Sequence, residues 1–284
     1  MQAMNDIKIY SAGSSAKRPR TLLKEMIKDV VLSRELGWRL AVRDISAMYR
    51  QSLLGILWAV ILPLSNALVW ILLRGTGIVS IGDTGVPYPV YVFSGTMLWA
   101  VFAESIQAPL QKTLAGKGIL SKINFPREAI VISGILQSAF NAVIKVLLIL
   151  GAMLFFGYPP GWTVVFFPVG VLSLILAGTA IGLLLTPIGM LYTDVSRGVP
   201  VAMQFLMYAT PVVFAIPKEG WVSTVISYNP LTPLIVASRD WLTGHPVEFL
   251  NGFMLVNLVF IVVLFCAWLL YRASMPFLIE RMSS

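Results

Sequence analysis

The sequence predicts an all-α membrane protein. It has six transmembrane helices, an N-terminal amphipathic helix at the interface and short outer re-entrant helices between spans five and six. Three observations carry this. Five stretches of the 284 residues run 19 or more positions without a charged side chain, and a sixth of matching length is interrupted only by Lys145. Hydrophobic residues make up 57% of the chain and charged ones 12%, more apolar surface than a soluble domain of this length can hide from water. The Lys and Arg residues gather on one side of the apolar runs.

Taken in order, residues 1–20 are a polar, charged tail with no short apolar core of the kind a cleavable leader carries. Residues 21–50 read as a helix along the membrane surface. Leu22, Leu23, Met26, Ile27, Val30 and Val31 form an apolar stripe opposite Lys24, Glu25, Lys28 and Asp29, and Trp38, Val42, Ile45 and Tyr49 continue the spacing. Such a helix can pack on lipid headgroups, on protein, or on both. Residues 51–272 hold the six spans, at 52–73, 88–110, 129–156, 162–192, 198–216 and 249–271. Each is long enough to cross roughly 30 Å of hydrocarbon at about 1.5 Å per residue. Residues 273–284 form a second tail.

The connections differ in kind. The GYPPG turn at 157–161 and the turn at 193–197 are too tight to hold anything. Within 217–248, the pieces 221–228 and 231–242 are apolar, too short to cross and broken by Asn229-Pro230 and Pro233, so they read as re-entrant or interfacial half-helices.

Charge placement sets the orientation. Residues 1–51 hold ten Lys or Arg, and Lys112, Lys117, Lys122, Arg127, Arg197, Arg272 and Arg281 fall on the same side. Only Arg74, Lys218 and Arg239 fall on the other, which puts both termini in the cytoplasm by the positive-inside rule. The net charge of +8 is thus explained by topology and calls for no nucleic acid.

Catalytic constellations are missing from the sequence. One histidine, His245, and one cysteine, Cys266, leave no material for a histidine-rich metal site, a Ser-His-Asp triad or a disulfide framework. No G-x-x-x-x-G-K-[ST] phosphate cradle occurs, so the chain is expected to bind no cofactor and to hydrolyse no ATP. Within the spans, Glu104 and Lys145 are the charged residues. Counting along the helix axes places them at different depths and argues against a direct pair.

Particular strings then acquire meaning together. Arg43-Asp44, Tyr49-Arg50-Gln51-Ser52, Leu54-Gly55, Trp58 and Pro63 open the series, followed by Pro87-Tyr88-Pro89-Val90-Tyr91, Ser94-Gly95 and Trp99. Lys122 with Phe125-Pro126-Arg127-Glu128 comes next, then Asp194-Val195, Pro200, Gln204 and Pro211-Val212, then Asn229-Pro230-Leu231-Thr232-Pro233 with Arg239-Asp240. Five motifs in this order over residues 35–245 resemble the permease subunits of ABC-2-type polysaccharide exporters, which move O-antigen, capsule or teichoic acid. One departure is Thr193, where the family pattern has arginine before Asp194.

The resemblance implies a half-transporter in the bacterial cytoplasmic membrane. Two copies of the chain would pair, two copies of a separate ATPase would carry ATP and Mg, and the cargo would be lipid-linked polysaccharide moving among membrane lipids. Gly118, Ile119, Leu120, Lys122, Asn124, Phe125, Pro126, Arg127 and Glu128 would form the segment that couples to the ATPase. Arg43, Asp44, Tyr49, Arg50 and Ser52 would guide an anionic diphosphate-lipid head to the entrance. Aromatic side chains grip sugar rings by their faces, so Phe93, Trp99 and Phe102 on the second span and Phe205, Tyr208 and Phe214 on the fifth are the pore-lining candidates. Export of a small lipid or drug is the nearer rival reading; a stand-alone secondary carrier would show inverted repeats, and no convincing repeat is present.

Overall fold

The structure is a computed structural model that describes residues 19–50, 53–77, 84–120, 126–217 and 219–283. Its helices are α1 (Pro19–Arg50), α2 (Trp58–Gly75), α3 (Tyr88–Ala115), α4 (Lys117–Leu120), α5 (Glu128–Phe155), α6 (Phe167–Leu191), α7 (Thr193–Tyr208), α8 (Trp221–Tyr228), α9 (Leu231–Thr243) and α10 (Leu250–Ser283). No strand occurs among the described residues. Five helices are long and apolar enough to cross a membrane: α2, α3, α5, α6 with its leading turn, and α10.

α3 is the central helix. It contacts α2, α5, α6, α7 and α9, and its first half is buried almost without a break. Lipid tails are as apolar as leucine, so helices in a membrane gain by close approach of small residues rather than by escaping water. α6 supplies those residues. A Cβ on Gly178 would lie 2.6 Å from the Ser105 side chain, and one on Gly182 would lie 2.3 Å from the Ile106 carbonyl oxygen. Either glycine replaced by alanine would force the two helices apart.

At one end of the bundle, α9 closes against the α5–α6 turn. Gly161 and Gly244 face each other so closely that a Cβ on Gly161 would lie 2.6 Å from the Gly244 Cα. Gly244 also ends α9 in the left-handed region, at φ 82°, where glycine alone is unstrained. The Thr163 hydroxyl donates to the Trp241 carbonyl at 2.7 Å and fixes the join.

At the opposite, basic end, α1 lies across the bundle as a strap. Met26, Ser33, Gly37 and Ala41 repeat at helical spacing and are buried. Gly37 is the crossing point: a Cβ there would meet Ile132 at 2.7 Å and the Ala129 carbonyl oxygen at 3.1 Å. The predicted amphipathic helix therefore packs on protein through small residues, while Ile27, Val31, Trp38 and Val42 remain exposed on another face.

Three boundaries differ from the sequence reading: residues 193–197, read as a tight turn, open α7. α10 continues to Ser283, so the stretch read as a tail from 273 prolongs the last helix. The fifth predicted span, 198–216, is a 16-residue helix that ends at Tyr208 and is followed by non-helical chain.

Glu104 and Lys145 require a correction. Lys145 Nζ lies 2.8 Å from the Glu104 carboxylate, and the Asn141 amide donates to the same group at 3.3 Å. Depth counted along the axes ignored the direction of side chains. A Cα–Cβ bond leans toward its own helix N-terminus, and α3 and α5 run antiparallel, so the two side chains lean toward each other and close the gap.

Candidate functional site

The non-helical chain that follows α7 has its backbone carbonyls held by side chains of other helices. Non-helical chain at membrane depth is tolerated only where protein replaces the lost hydrogen bonds. Arg239 of α9, buried to 5% exposure, donates to the Pro211 carbonyl from both terminal nitrogens, at 3.1 and 3.2 Å, and to the Val212 carbonyl at 2.8 Å. The Tyr88 and Tyr91 hydroxyls of α3 donate to the carbonyls of Val213 and Phe214, at 3.2 and 2.8 Å. The Asn229 amide donates to Ala209 at 2.9 Å. Of the six carbonyls from Ala209 to Phe214, all but that of Thr210 are thus capped by side chains.

Two further features hold this clamp. The Arg239 guanidinium lies 3.7 Å over the centre of the Tyr91 ring, a stacked cation–π contact open to arginine's planar group. Gly95 makes the space: a Cβ there would sit 2.0 Å from the Val212 oxygen and 2.4 Å from Arg239 Nη2. Beside Arg239, burial pushes the Asp240 carboxyl up to about 6, partly offset by the Glu248 amide and by Arg239 itself. A carboxyl whose folded value is raised binds its proton more tightly when folded, so stability contributed at Asp240 grows as pH falls from above 6 toward the ordinary value of 3.8. Asp240→Asn is expected to raise the melting temperature in detergent at pH 7.5 and to leave it nearly unchanged at pH 4.5, measured beside the unaltered chain.

The second constellation is the strap. Arg272 of α10 reaches Asp29 of α1 at 2.6 Å and Glu128 of α5 at 3.0 Å. At the other end, Lys112 of α3 pairs with Asp44, which also accepts from Arg43 at 2.9 Å. Burial alone would raise the Asp44 carboxyl, but Lys112 and Arg43 outweigh it and hold it below the usual 3.8. Between Asp29 and Asp44, α1 covers about 22 Å at 1.5 Å per residue, from α10 over α5 to α3. A cavity of about 510 Å³ opens beneath it, lined by Leu36, Leu40, Arg43, Asp44, Lys112 and Ser133 among others.

The predicted site residues distribute as follows. Arg43 and Asp44 belong to the strap pairing, Tyr49 and Arg50 lie in its last turn, and Ser52 falls outside the described residues. In the coupling segment, Gly118, Ile119 and Leu120 belong to α4, whereas Lys122, Asn124 and Phe125 fall outside the described residues. Pro126 is exposed, Arg127 half-buried, and Glu128 buried against Arg272. Phe93, Trp99 and Phe102 do not line a surface of the protomer. All three are buried in its core, because α3 is enclosed by its neighbours, and this corrects the expectation for the second span. Phe205 and Tyr208 on α7 are exposed, and Phe214 is half-buried beside the clamp.

The profile of the ABC-2 type transporter family matches residues 35–242, a stretch that begins inside the strap and ends in the clamp helix. The chain belongs to that family. Among its relatives, this ABC-2 chain is 26% identical over 246 residues to the O-antigen export system permease protein RfbA of Myxococcus xanthus, covering 85% of this chain and 93% of that one. It is 25% identical over 203 residues to a protein of the same name from Klebsiella pneumoniae, covering 70% and 76%. It is 23% identical over 232 residues to the polysialic acid transport protein KpsM of Escherichia coli, covering 77% and 88%. The clamp falls within the part matched by the ABC-2 family, while the strap is matched from residue 35 onward and its Asp29 and Arg272 lie outside. Sequence reasoning placed Arg239 in an outer hairpin without a role; its signal was a buried-type arginine in an apolar half-helix, next to a Pro-Val break two elements earlier.

Proposed function

We propose that this chain is the membrane subunit of an ATP-driven exporter of lipid-linked polysaccharide, working as a pair of copies with two copies of a separate ATPase. The observation that supports it most directly is the near full-length similarity to permeases named for O-antigen and polysialic acid transport. In this reading six segments cross the membrane, the fifth being α7 completed by the clamped chain, and the basic end faces the cytoplasm. ATP binding favours one arrangement of the ATPase pair, and the 118–128 segment passes that change to the strap through Glu128 and Arg272.

Mechanically, the strap is built to transmit. Its two ionic anchors lie on different helices, so a push on α5 at Glu128 shifts α1 relative to α3. Arg43 and Lys112 at the cavity under the strap supply cations for a phosphate-bearing lipid head, and the lining around them is apolar. α7 presents Phe205 and Tyr208 outward, where ring faces can stack on sugars between the two copies.

Reconstituted with its ATPase, the permease is expected to move lipid-linked glycan into vesicles on ATP addition, and alone to move none. Stimulation of ATP hydrolysis by a small lipid, with none by any glycan, would overturn the choice of cargo. Phe125→Ala and Arg127→Glu are each expected to cut export by roughly tenfold or more while leaving insertion intact, the loss of a contact worth about 1.4 kcal/mol. Export and ATPase association both unchanged would remove the coupling role from this segment.

A further inference from the structure

At membrane depth the exposed surface of this protein is made of large apolar side chains: Leu62, Val143, Leu147, Leu172 and Leu258 are each more than half exposed. One strip departs from that pattern. α3, buried along its first half, opens in its second half on a face of Ala103, Glu104, Gln107, Ala108, Gln111 and Ala115. Spacings of three and four place them on one side of the helix. The facing edge of α5 carries Gln137, Asn141 and Lys145 four residues apart, and at Gly134 the two helices run close, where an added Cβ would lie in ordinary contact, 3.5 Å from the Ala108 backbone.

The strip is polar in a way lipid does not accept. Glu104 keeps 41% of its side chain exposed while Lys145, its partner at 2.8 Å, keeps 8%. An ionisable residue within a membrane span almost always faces a bundle interior or a water-filled cavity. Two oxygens along the seam, Gln137 Oε1 and Ser133 Oγ, are buried with no hydrogen-bond partner. Ser133 also lines the cavity under the strap, so the seam continues from that cavity toward midplane.

We propose that this seam is a water-filled groove, open to the cytoplasmic side, that holds hydroxyl groups of the glycan during export; this rests on the function proposed above. The chemistry selects sugar over other cargo. Lys145 cancels the Glu104 charge, so a cation gains little there. The carboxylate offers about four acceptor sites, of which Lys145 and Asn141 occupy three, and one remains for a hydroxyl. Gln107 and Gln111 each both donate and accept, as vicinal hydroxyls do, and their bond to each other at 3.1 Å is one that a sugar can replace. Beyond the Glu104–Lys145 pair the strip carries amides, which do not titrate, so it holds no chain of groups for a proton relay. The intervening alanines leave flat room for a ring.

The test uses the full chain with its ATPase, in inside-out vesicles from cells that make the lipid-linked glycan and from cells blocked in its first step. Cys266 is replaced by alanine, and single cysteines are placed as Gln107→Cys, Gln111→Cys and, as a lipid-facing control, Leu147→Cys. The probe is a charged, membrane-impermeant methanethiosulfonate. Because only the thiolate reacts, the two groove positions are expected to label about tenfold or more faster than the control. Glycan in the vesicles is expected to slow them several-fold. Labelling no faster than the control overturns the groove, and disulfide formation between two copies through Gln111→Cys reassigns the strip to a subunit contact. Fast labelling that glycan leaves unchanged overturns the sugar assignment alone. Export of glycan by the unaltered chain is followed in the same cells: its absence would sink the proposed function, whereas export with fast labelling but no protection would sink only the sugar assignment.

Discussion

Arg239→Met is expected to abolish export while the chain still inserts, because it strips the donors from the non-helical chain after α7. Methionine matches arginine's stem but gives no hydrogen bond, so the Pro211 and Val212 carbonyls would be left buried and unpaired. An unsatisfied buried acceptor costs about 1–3 kcal/mol, and two of them together with the lost stacking on Tyr91 put the penalty on the order of 4 kcal/mol. That exceeds what local packing can absorb. The chain at 209–214 must then rewind or leave its cradle, and either movement rotates the exposed Phe205 and Tyr208 on α7.

Three companions make the result specific. Arg239→Lys keeps the charge but cannot reach two carbonyls with a planar fork, so partial export is expected, between methionine and the unaltered chain. Gly95→Ala attacks the same clamp from α3 without removing a donor, since its Cβ would lie 2.0 Å from the Val212 oxygen and 2.4 Å from Arg239 Nη2. Tyr91→Phe removes one hydroxyl donor and retains the ring under Arg239, and a smaller loss is expected. The checks are chain level in membranes, ATP hydrolysis by the complex and glycan at the cell surface. Normal export by Arg239→Met would show that the break is held without the arginine.

The helices were legible because their cause is local. Long uncharged runs dictate spans, and Asn229-Pro230 with Pro233 dictates the short elements α8 and α9. Relations between helices were less so. Gly178 and Gly182 gave no sign that they admit α3, and that enclosure is why Phe93, Trp99 and Phe102 fill a core instead of facing a pathway. The Glu104–Lys145 pair was missed because residue counting fixes Cα depth, while side-chain lean decides contact over such distances. The clamp joins residues 28 apart through a guanidinium, and no periodicity encodes a hydrogen bond to a backbone oxygen. Packing of α1 on protein was one of the two readings its spacing left open, but the face that packs, with Ser33, Gly37 and Ala41, is not the apolar stripe, because close approach selects small residues.

The strap gives the other large effect. Arg272→Met would leave Asp29 and Glu128 facing each other without the cation between them, and Glu128 is 10% exposed at its side chain. Breaking a buried pair by removing one partner is more costly than never having had it, at about 3–5 kcal/mol for full burial and less for groups, like Arg272 and Asp29, about one fifth exposed. Loss of most export is expected, with α1 becoming open to trypsin at Lys28, Arg34 and Arg39 in vesicles whose cytoplasmic face is outward. Restoring neutrality separates repulsion from a lost anchor. In Arg272→Met with Asp29→Asn and Glu128→Gln, the repulsion is gone but the tether is not rebuilt. If the tether transmits motion from the 118–128 segment, the triple variant recovers protease resistance and not export. Recovery of both would mean that the three residues only neutralise one another. Acid offers a second probe at the far anchor, because the Asp44 carboxyl is held below 3.8 and its pairing with Lys112 contributes stability that is lost as pH falls through that lowered value. Asp44→Asn should therefore show increased trypsin cleavage of the strap already at pH 7, where the unaltered chain resists it.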